Sequence, residues 1–141
     1  MNPYAQSADA YLAQRVLHAG PVQQAALLME AGQRFLGKAA TAIEQKNFTE
    51  MGRCLRLVTE IINEALCRLN YEDGGELVDN LSKVYDKWTE MVFEASKSYD
   101  VARLRIVAGQ MGEIRQAWEQ LAEKQAAELQ NSELHLGDRV I

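Results

Sequence analysis

Two histidines, two cysteines and a few paired carboxylates are the residues of this 141-residue chain whose types and spacing could do chemistry. A helical bundle that holds a di-iron centre needs Glu-x-x-His, so that both ligands face inward one turn apart. The residues three before His18 and His135 are Arg15 and Ser132, so that motif is absent. Cys54 and Cys67 are expected on one helix. There they would point about 220° apart and lie about 20 Å apart along the axis. A disulfide needs Cα atoms within about 7 Å, so they read as two small, buried or half-buried hydrophobes. No Gly-x-Ser-x-Gly nucleophile turn occurs, and no Gly-x-x-x-x-Gly-Lys-Ser/Thr phosphate loop. Gly74-Gly75 makes a poor anion site, because Glu72, Asp73 and Glu76 would repel the anion. Glu60 and Glu64 are one helical turn apart on what reads as a solvated face. The expectation is a protein with no catalytic residues, no metal and no cofactor.

Composition narrows the class further. Nearly half the residues are hydrophobic (48%) and only two are proline, which argues for a folded chain. A single domain of this size can bury roughly 68% of the surface its unfolded chain exposes. The formal charge is −5 and the pI about 5.1, the wrong sign for a nucleic-acid binder that must displace counterions from phosphates. No apolar run approaches the roughly 20 residues that span a bilayer, so membrane insertion is not expected. The first residues, Met1-Asn2-Pro3-Tyr4-Ala5-Gln6, have neither a basic n-region nor an apolar h-region, which makes the cytoplasm the expected location.

The elements that would position any site are helices. Residues 1–20 form an arm of mixed character with Tyr4, Tyr11, Leu12, Val16 and Leu17, ended by Gly20-Pro21. Pro21 suits the first turn of a helix. A first helix is expected to about Gln45, with apolar residues from Val22 to Ile43 recurring every three or four positions. A second runs from Phe48 or Thr49 to Leu69, with Asn47 or Thr49 as cap and Met51, Leu55, Val58, Ile62, Leu66 and Leu69 as its stripe. After the loop from Asn70 to Gly75, a third carries Leu77, Leu81, Val84, Trp88, Met91 and Ala95 to about Lys97. A fourth, capped by Ser98 or Asp100, carries Leu104, Val107, Met111, Ile114, Trp118 and Leu121 and is expected to end near Leu129. Short connections between long helices predict an all-α, antiparallel, up-down-up-down four-helix bundle. The expected division is an arm or cap over 1–20, a bundle over 21–129 and a disordered tail over 130–141.

The apolar faces of the second and third helices are wider than a bundle requires, which is about three positions in seven. Leu57, Ile61, Val78, Val92 and Phe93 are the surplus. Either they lie beneath the arm or in a homodimer contact, or they form a groove for an amphipathic partner helix.

Several landmarks, in order, resemble the FliS-type flagellar export chaperones. They are Tyr11 ahead of the helix-opening Pro21, Gly32 followed by Phe35-Leu36, and Ala42-Ile43 before a polar turn. After them come Gly74-Gly75-Glu76 with Asn80-Leu81 and Tyr85-Asp86, and Ile114-Arg115-Gln116-Ala117-Trp118. The resemblance runs from about Tyr11 to Leu121. The chain departs from it at Gly20, where the family usually has Ser or Thr, and at Glu30, where tyrosine is frequent. It departs again at Lys87-Trp88 and Glu90-Met91-Val92, where Tyr-Met and Arg-Arg-Leu are usual. The resemblance implies a cytosolic chaperone that binds the disordered C-terminal segment of flagellin, blocks premature polymerisation and presents it to the flagellar type III export gate. The widened apolar faces make Leu57, Ile61, Val78, Tyr85, Val92 and Phe93 the candidate contacts, and the apolar character of Tyr11, Val16 and Leu17 makes them the candidate displaceable cap. The alternative is a helical adaptor or regulator that binds another flagellar component, such as an anti-sigma factor or an export protein.

Overall fold

The computed structural model describes the backbone of residues 20–140 and the side chains of residues 20–132. Its four helices are α1 (Pro21–Glu44), α2 (Phe48–Cys67), α3 (Gly75–Ser98) and α4 (Val101–Val140), and the described residues contain no strand. The all-α, four-helix expectation holds.

Each boundary has a local cause. Pro21 opens α1, and the Gly20 carbonyl accepts from Gln24 N–H at 2.8 Å. Lys46 turns left-handed (φ 57°) to end α1, and Asn47 N–H then donates back to Ala42 O at 2.8 Å. Of the two caps the sequence offers, Asn47 is the one used: its Oδ1 accepts from Glu50 N–H at 3.2 Å. Beyond α2, Asn70 Oδ1 accepts from Asp73 N–H at 3.3 Å and shapes the loop. The two glycines that follow do different work. A side chain at Gly74 would overlap Val78 and crowd the Asn70 carbonyl, whereas Gly75 has open space but a φ of +55°. Tyr99 adopts the left-handed conformation at the end of α3. Asp100 Oδ1 then caps α4 by accepting from Arg103 N–H at 3.0 Å.

The chain forms two compact units. One is residues 28–114, and the described part of the other is residues 20–27 with 115–140. Within residues 28–114, α2 packs along α3, and Phe48 meets Tyr99 with ring centroids 4.4 Å apart, so these two helices run antiparallel. Val58, Ile62, Tyr85, Trp88, Leu104 and Met111 are fully buried, each contributing roughly 1.5–3 kcal/mol through its apolar area. Tyr85 and Trp88 stack at 5.0 Å. The Trp88 indole N–H donates to Gln110 Oε1 at 2.8 Å, which ties α3 to α4 and leaves no buried orphan on that tryptophan.

Where α1 crosses α4, small residues set the spacing. A Cβ on Gly32 would lie 2.6 Å from Met111 Sδ, and one on Gly112 2.7 Å from Gln33 Nε2. Gln33 Nε2 also donates to the Ala108 carbonyl at 3.1 Å. Further along, Arg105 Nη2 pairs with Glu44 Oε1 at 2.8 Å. The end of α1 thus meets the start of α4, as an antiparallel pair requires.

In the other unit, α4 does not stop at Leu129 and continues as helix through Gly137 to Val140, so the tail expected over 130–141 is helical to that point. The stretch from Gln120 to Gln130 is rich in Ala, Glu, Gln and Lys, all strong helix formers, and one glycine costs about 1 kcal/mol without enforcing an end. Residues 123–132 are exposed on every side of the helix. Trp118 is half-buried, and among the described residues its Nε1 is the one buried side-chain polar atom without a hydrogen-bond partner.

Candidate functional site

On α1, Arg34, Lys38, Thr41 and Gln45 follow one another at four, three and four positions and so share a face. Together with Gly37 and Ala42 they line an open cleft of about 530 Å³, whose other lining residues are Asn47 in the turn and Glu50 in the first turn of α2. Gly37 matters to its width, since no atom lies within 4 Å of the position a Cβ would take there. A second cavity, about 240 Å³, lies between α1 and α4 and includes Leu36, Ala40, Leu104 and Ala108 in its lining.

Glu50 is committed. Arg53 clamps it with Nη2 to Oε1 at 2.6 Å and Nε to Oε2 at 2.9 Å, and the Cys54 thiol donates to Oε1 at 3.4 Å. The Arg53 hydrogen bonds pull the Glu50 carboxyl down to about 2, against the opposing effect of burial, with smaller help from Cys54 and from the charges of Arg53 and Lys38. Burial pushes the Cys54 thiol up, and the adjacent Glu50 carboxylate pushes it further. Cys54 is therefore a protonated, inert thiol and not a nucleophile. Phe35 carries two cations near its ring, Arg34 Cζ at 5.7 Å and Lys38 Nζ at 5.3 Å. Lys38 makes no ion pair within 4 Å among the described residues.

Beyond the residues that line the cleft, α2 has an apolar face. Glu50, Cys54, Leu57 and Ile61 are spaced four, three and four residues apart and share one face of α2. Ile61 Cγ2 lies 3.8 Å from the Cβ position of Gly32, so this face of α2 borders α1. Leu57 and Ile61 are half-buried. The α1–α2 side thus offers cations and neutral polar groups at one end and branched apolar side chains further along.

The structure divides the six residues expected to contact a partner. Leu57 and Ile61 lie together on the accessible flank of α2. Phe93 is 58% exposed on α3, with Lys97 Nζ 4.2 Å from its ring centroid. Val78, Tyr85 and Val92 are 7%, 1% and 2% exposed and belong to the core. For these three the groove expectation is corrected: no partner reaches them while the unit stays closed. Tyr85 spends its ring on the stack with Trp88, and Val78 packs against the Gly74 backbone. Tyr11, Val16, Leu17 and His18 lie outside the described residues, as does the side chain of His135.

Several surface features were not singled out from the sequence. The Phe48–Tyr99 pair is largely exposed, as are Tyr71 and Leu77 around the α2–α3 loop. The signal of the aromatics was a ring at a helix end, off the core stripe, whereas Leu77 was expected on the α3 stripe and is instead 63% exposed in the first turn of that helix. The basic stripe of α1 was legible as Arg34 and Lys38 four residues apart. Gly32-Gln33-Arg34-Phe35-Leu36-Gly37-Lys38 has most of the spacing of a phosphate loop, but Ala39 stands where the hydroxyl belongs. The segment lies inside an unbroken helix, whose N–H groups are engaged along the chain. Among the described residues no cluster of three or more His, Cys, Asp or Glu could hold a metal ion. No described helix is long and apolar enough to cross a membrane.

Comparison with known proteins adds a second line. The model of a family described as Flagellar protein FliS matches residues 4–125. The flagellar secretion chaperone FliS of Salmonella typhimurium is 30% identical over 110 residues, covering 77% of this chain and 82% of its own length. The flagellar secretion chaperone FliSB of Pseudomonas aeruginosa is 30% identical over 105 residues, or 74% and 83%. FliS of Vibrio cholerae, under the same chaperone name, is 29% identical over 103 residues, or 73% and 76%.

Proposed function

The chain belongs to the FliS family, a family of chaperones and not of enzymes, and from that membership we propose that it is a flagellar secretion chaperone whose client is flagellin. In this reading it binds the disordered C-terminal segment of flagellin in the cytoplasm, keeps it from polymerising and delivers it to the type III export gate. The observation that supports the reading is the α1–α2 side of residues 28–114. A well-packed core holds there an open cleft, and Leu57 and Ile61 lie half-buried further along α2. A disordered segment that folds on binding must recover its ordering entropy from a long contact. A flank with both polar and branched apolar groups suits an amphipathic helix.

Titration calorimetry of the full chain with the roughly 50-residue C-terminal segment of flagellin from the same organism tests this. One-to-one binding with a large negative heat-capacity change is expected, the mark of apolar burial coupled to folding. Absence of binding by the folded protein would remove flagellin as the client. Leu57→Asp and Ile61→Asp are expected to weaken binding strongly, and Phe93→Asp tests whether α3 also takes part. Tyr11, Val16 and Leu17 enter the proposal as a cap displaced on binding. Deleting residues 1–17 should change flagellin affinity, and an unchanged affinity and rate would discard the cap.

A further inference from the structure

We propose that the turn between α3 and α4 is a strained hinge, which opens so that α4 is exchanged with the α4 of a second copy of this chain. Exchange of this kind goes beyond the proposed function and does not depend on the client. Backbone geometry is the first ground. Tyr99 and Asp100 alone separate the two helices, and Tyr99 is held at φ 55° and ψ 41°. That left-handed form brings the Cβ of an L residue against a carbonyl oxygen, which is why glycine is the usual residue at such a helix end. The turn before α3 meets the same need with a glycine, Gly75, at φ 55°. Lys46 is left-handed as well, in a turn one residue longer.

The second ground is that little in the local sequence stops a helix here. From Glu76 to Ala108 there is neither glycine nor proline, so one continuous helix through the turn is open to the chain. Contacts of the folded state bend it instead. The Phe48 ring, from α2, lies 4.4 Å from that of Tyr99. Asp100 N–H donates to the Ala95 carbonyl at 3.2 Å, and Asp100 Oδ1 accepts from Arg103 N–H at 3.0 Å. The third ground is that α4 is held by contacts a second copy can reproduce. Met111 beside Gly32, Gln33 on the Ala108 carbonyl, Gln110 on Trp88 and Arg105 on Glu44 need the α4 sequence and not its covalent link to α3. Exchange keeps that seam and relieves Tyr99 in both copies. It gives up the Phe48–Tyr99 stack and the entropy of association. Short hinges under strain favour this outcome.

The test is light scattering on the size-fractionated full chain after refolding at low and at high concentration. A 15.8 kDa monomer is expected at low concentration, and a dimer of twice that mass at high concentration. Nitroxides at Lys87→Cys and Glu113→Cys, in a Cys67→Ser chain diluted with unlabelled protein, then read the distance within one chain. Both positions are exposed, and Cys54 is buried. In the dimer they should stand about 39 Å apart, the rise of a straight helix from 87 to 113, whereas in the monomer they lie on neighbouring helices about 10 Å apart. Val101→Pro places proline at the first position of α4, where it is tolerated, yet breaks a continuous helix, so dimer association should fall roughly a hundredfold or more. Phe48→Ala removes the stack that holds the turn closed and should raise association several-fold. Lys46→Gly relieves monomer and dimer alike and should leave it unchanged. The circular dichroism of each monomer shows whether the variant is folded. A monomer at every concentration, a dimer whose labels stay close, or a Val101→Pro dimer as stable as the wild type would each overturn the proposal.

Discussion

Helix α1 meets one neighbour closely and leaves room beside the other. Toward α4 the side chains at the crossing are glycines, Gly32 and Gly112, and the space they vacate is filled by Met111 and Gln33 from the opposite helix. The Gln33 to Ala108 bond and the Glu44–Arg105 pair close that seam at two points, and the cavity left between them is about 240 Å³. Toward α2, the first turn of that helix and a stripe of long polar side chains leave about 530 Å³ open. The lesson is one of side-chain size. A helix packs tightly where small residues let a neighbour's long side chain in. It stays open where long cations would have to be stripped of water to close the gap, a cost that a bundle gains nothing by meeting.

Damage to the closed seam should dominate. Met111→Ala removes a fully buried side chain that occupies the space beside Gly32. Denaturant unfolding should register a loss of about 2–5 kcal/mol, and a loss below about 1 kcal/mol would mean the seam is looser than described. Gly32→Leu attacks the same crossing from the other side. It should cost about 1–3 kcal/mol by overpacking, whereas Gly32→Ala should cost less because the thioether of Met111 can swing aside. Arg105→Ala opens only the exposed clamp at the end of the seam, and its expected cost is no more than about 1 kcal/mol. The cleft side should be the least sensitive. Lys38→Gln is expected to change stability by no more than about 0.5 kcal/mol.

Acid sharpens the contrast further. The Glu50 carboxyl sits near 2 in the folded protein against an ordinary 4.5, so its pairing with Arg53 stabilises the fold fully above the ordinary value. That contribution is lost as pH falls from about 4.5 toward 2. Solvent screening of this partly exposed pair keeps its worth below about 1 kcal/mol. The melting temperatures of wild type and Glu50→Gln should therefore differ slightly at neutral pH and converge only as pH approaches about 2. A gap that widened on acidification would contradict the assignment.

Much of the fold was legible because its punctuation is local. Asn47, Gly74-Gly75 and Asp100 each stop or start a helix by satisfying or freeing nearby backbone groups, and such effects show in a short window of residues. The end of α4 was not legible, because Gly137 is a weak stop and the strong helix formers from Gln120 to Gln130 carry the helix toward it. The site was half legible. Leu57 and Ile61, expected as groove contacts, are half-buried on α2, yet Val78, Tyr85 and Val92 carry the same apolar signal and are buried. An apolar stripe states how much surface must be covered and not which neighbour covers it. The width of α3 that looked surplus is used by the Tyr85–Trp88 stack and by the packing of Val78 on the loop. The cleft itself depends on the register between α1 and α2, which the three-residue turn at Gln45, Lys46 and Asn47 sets and no periodicity reveals.

The two cysteines have a practical consequence. Cys54 is buried, hydrogen-bonded to Glu50 and held as a thiol, while Cys67 is exposed at the last residue of α2. A maleimide dye should therefore add once, at Cys67. Twenty residues of helix place that dye about 30 Å from Asn47. The wild-type sequence thus carries its own attachment point for a fluorophore or a surface tether, at the opposite end of α2 from the cleft whose occupancy it would report.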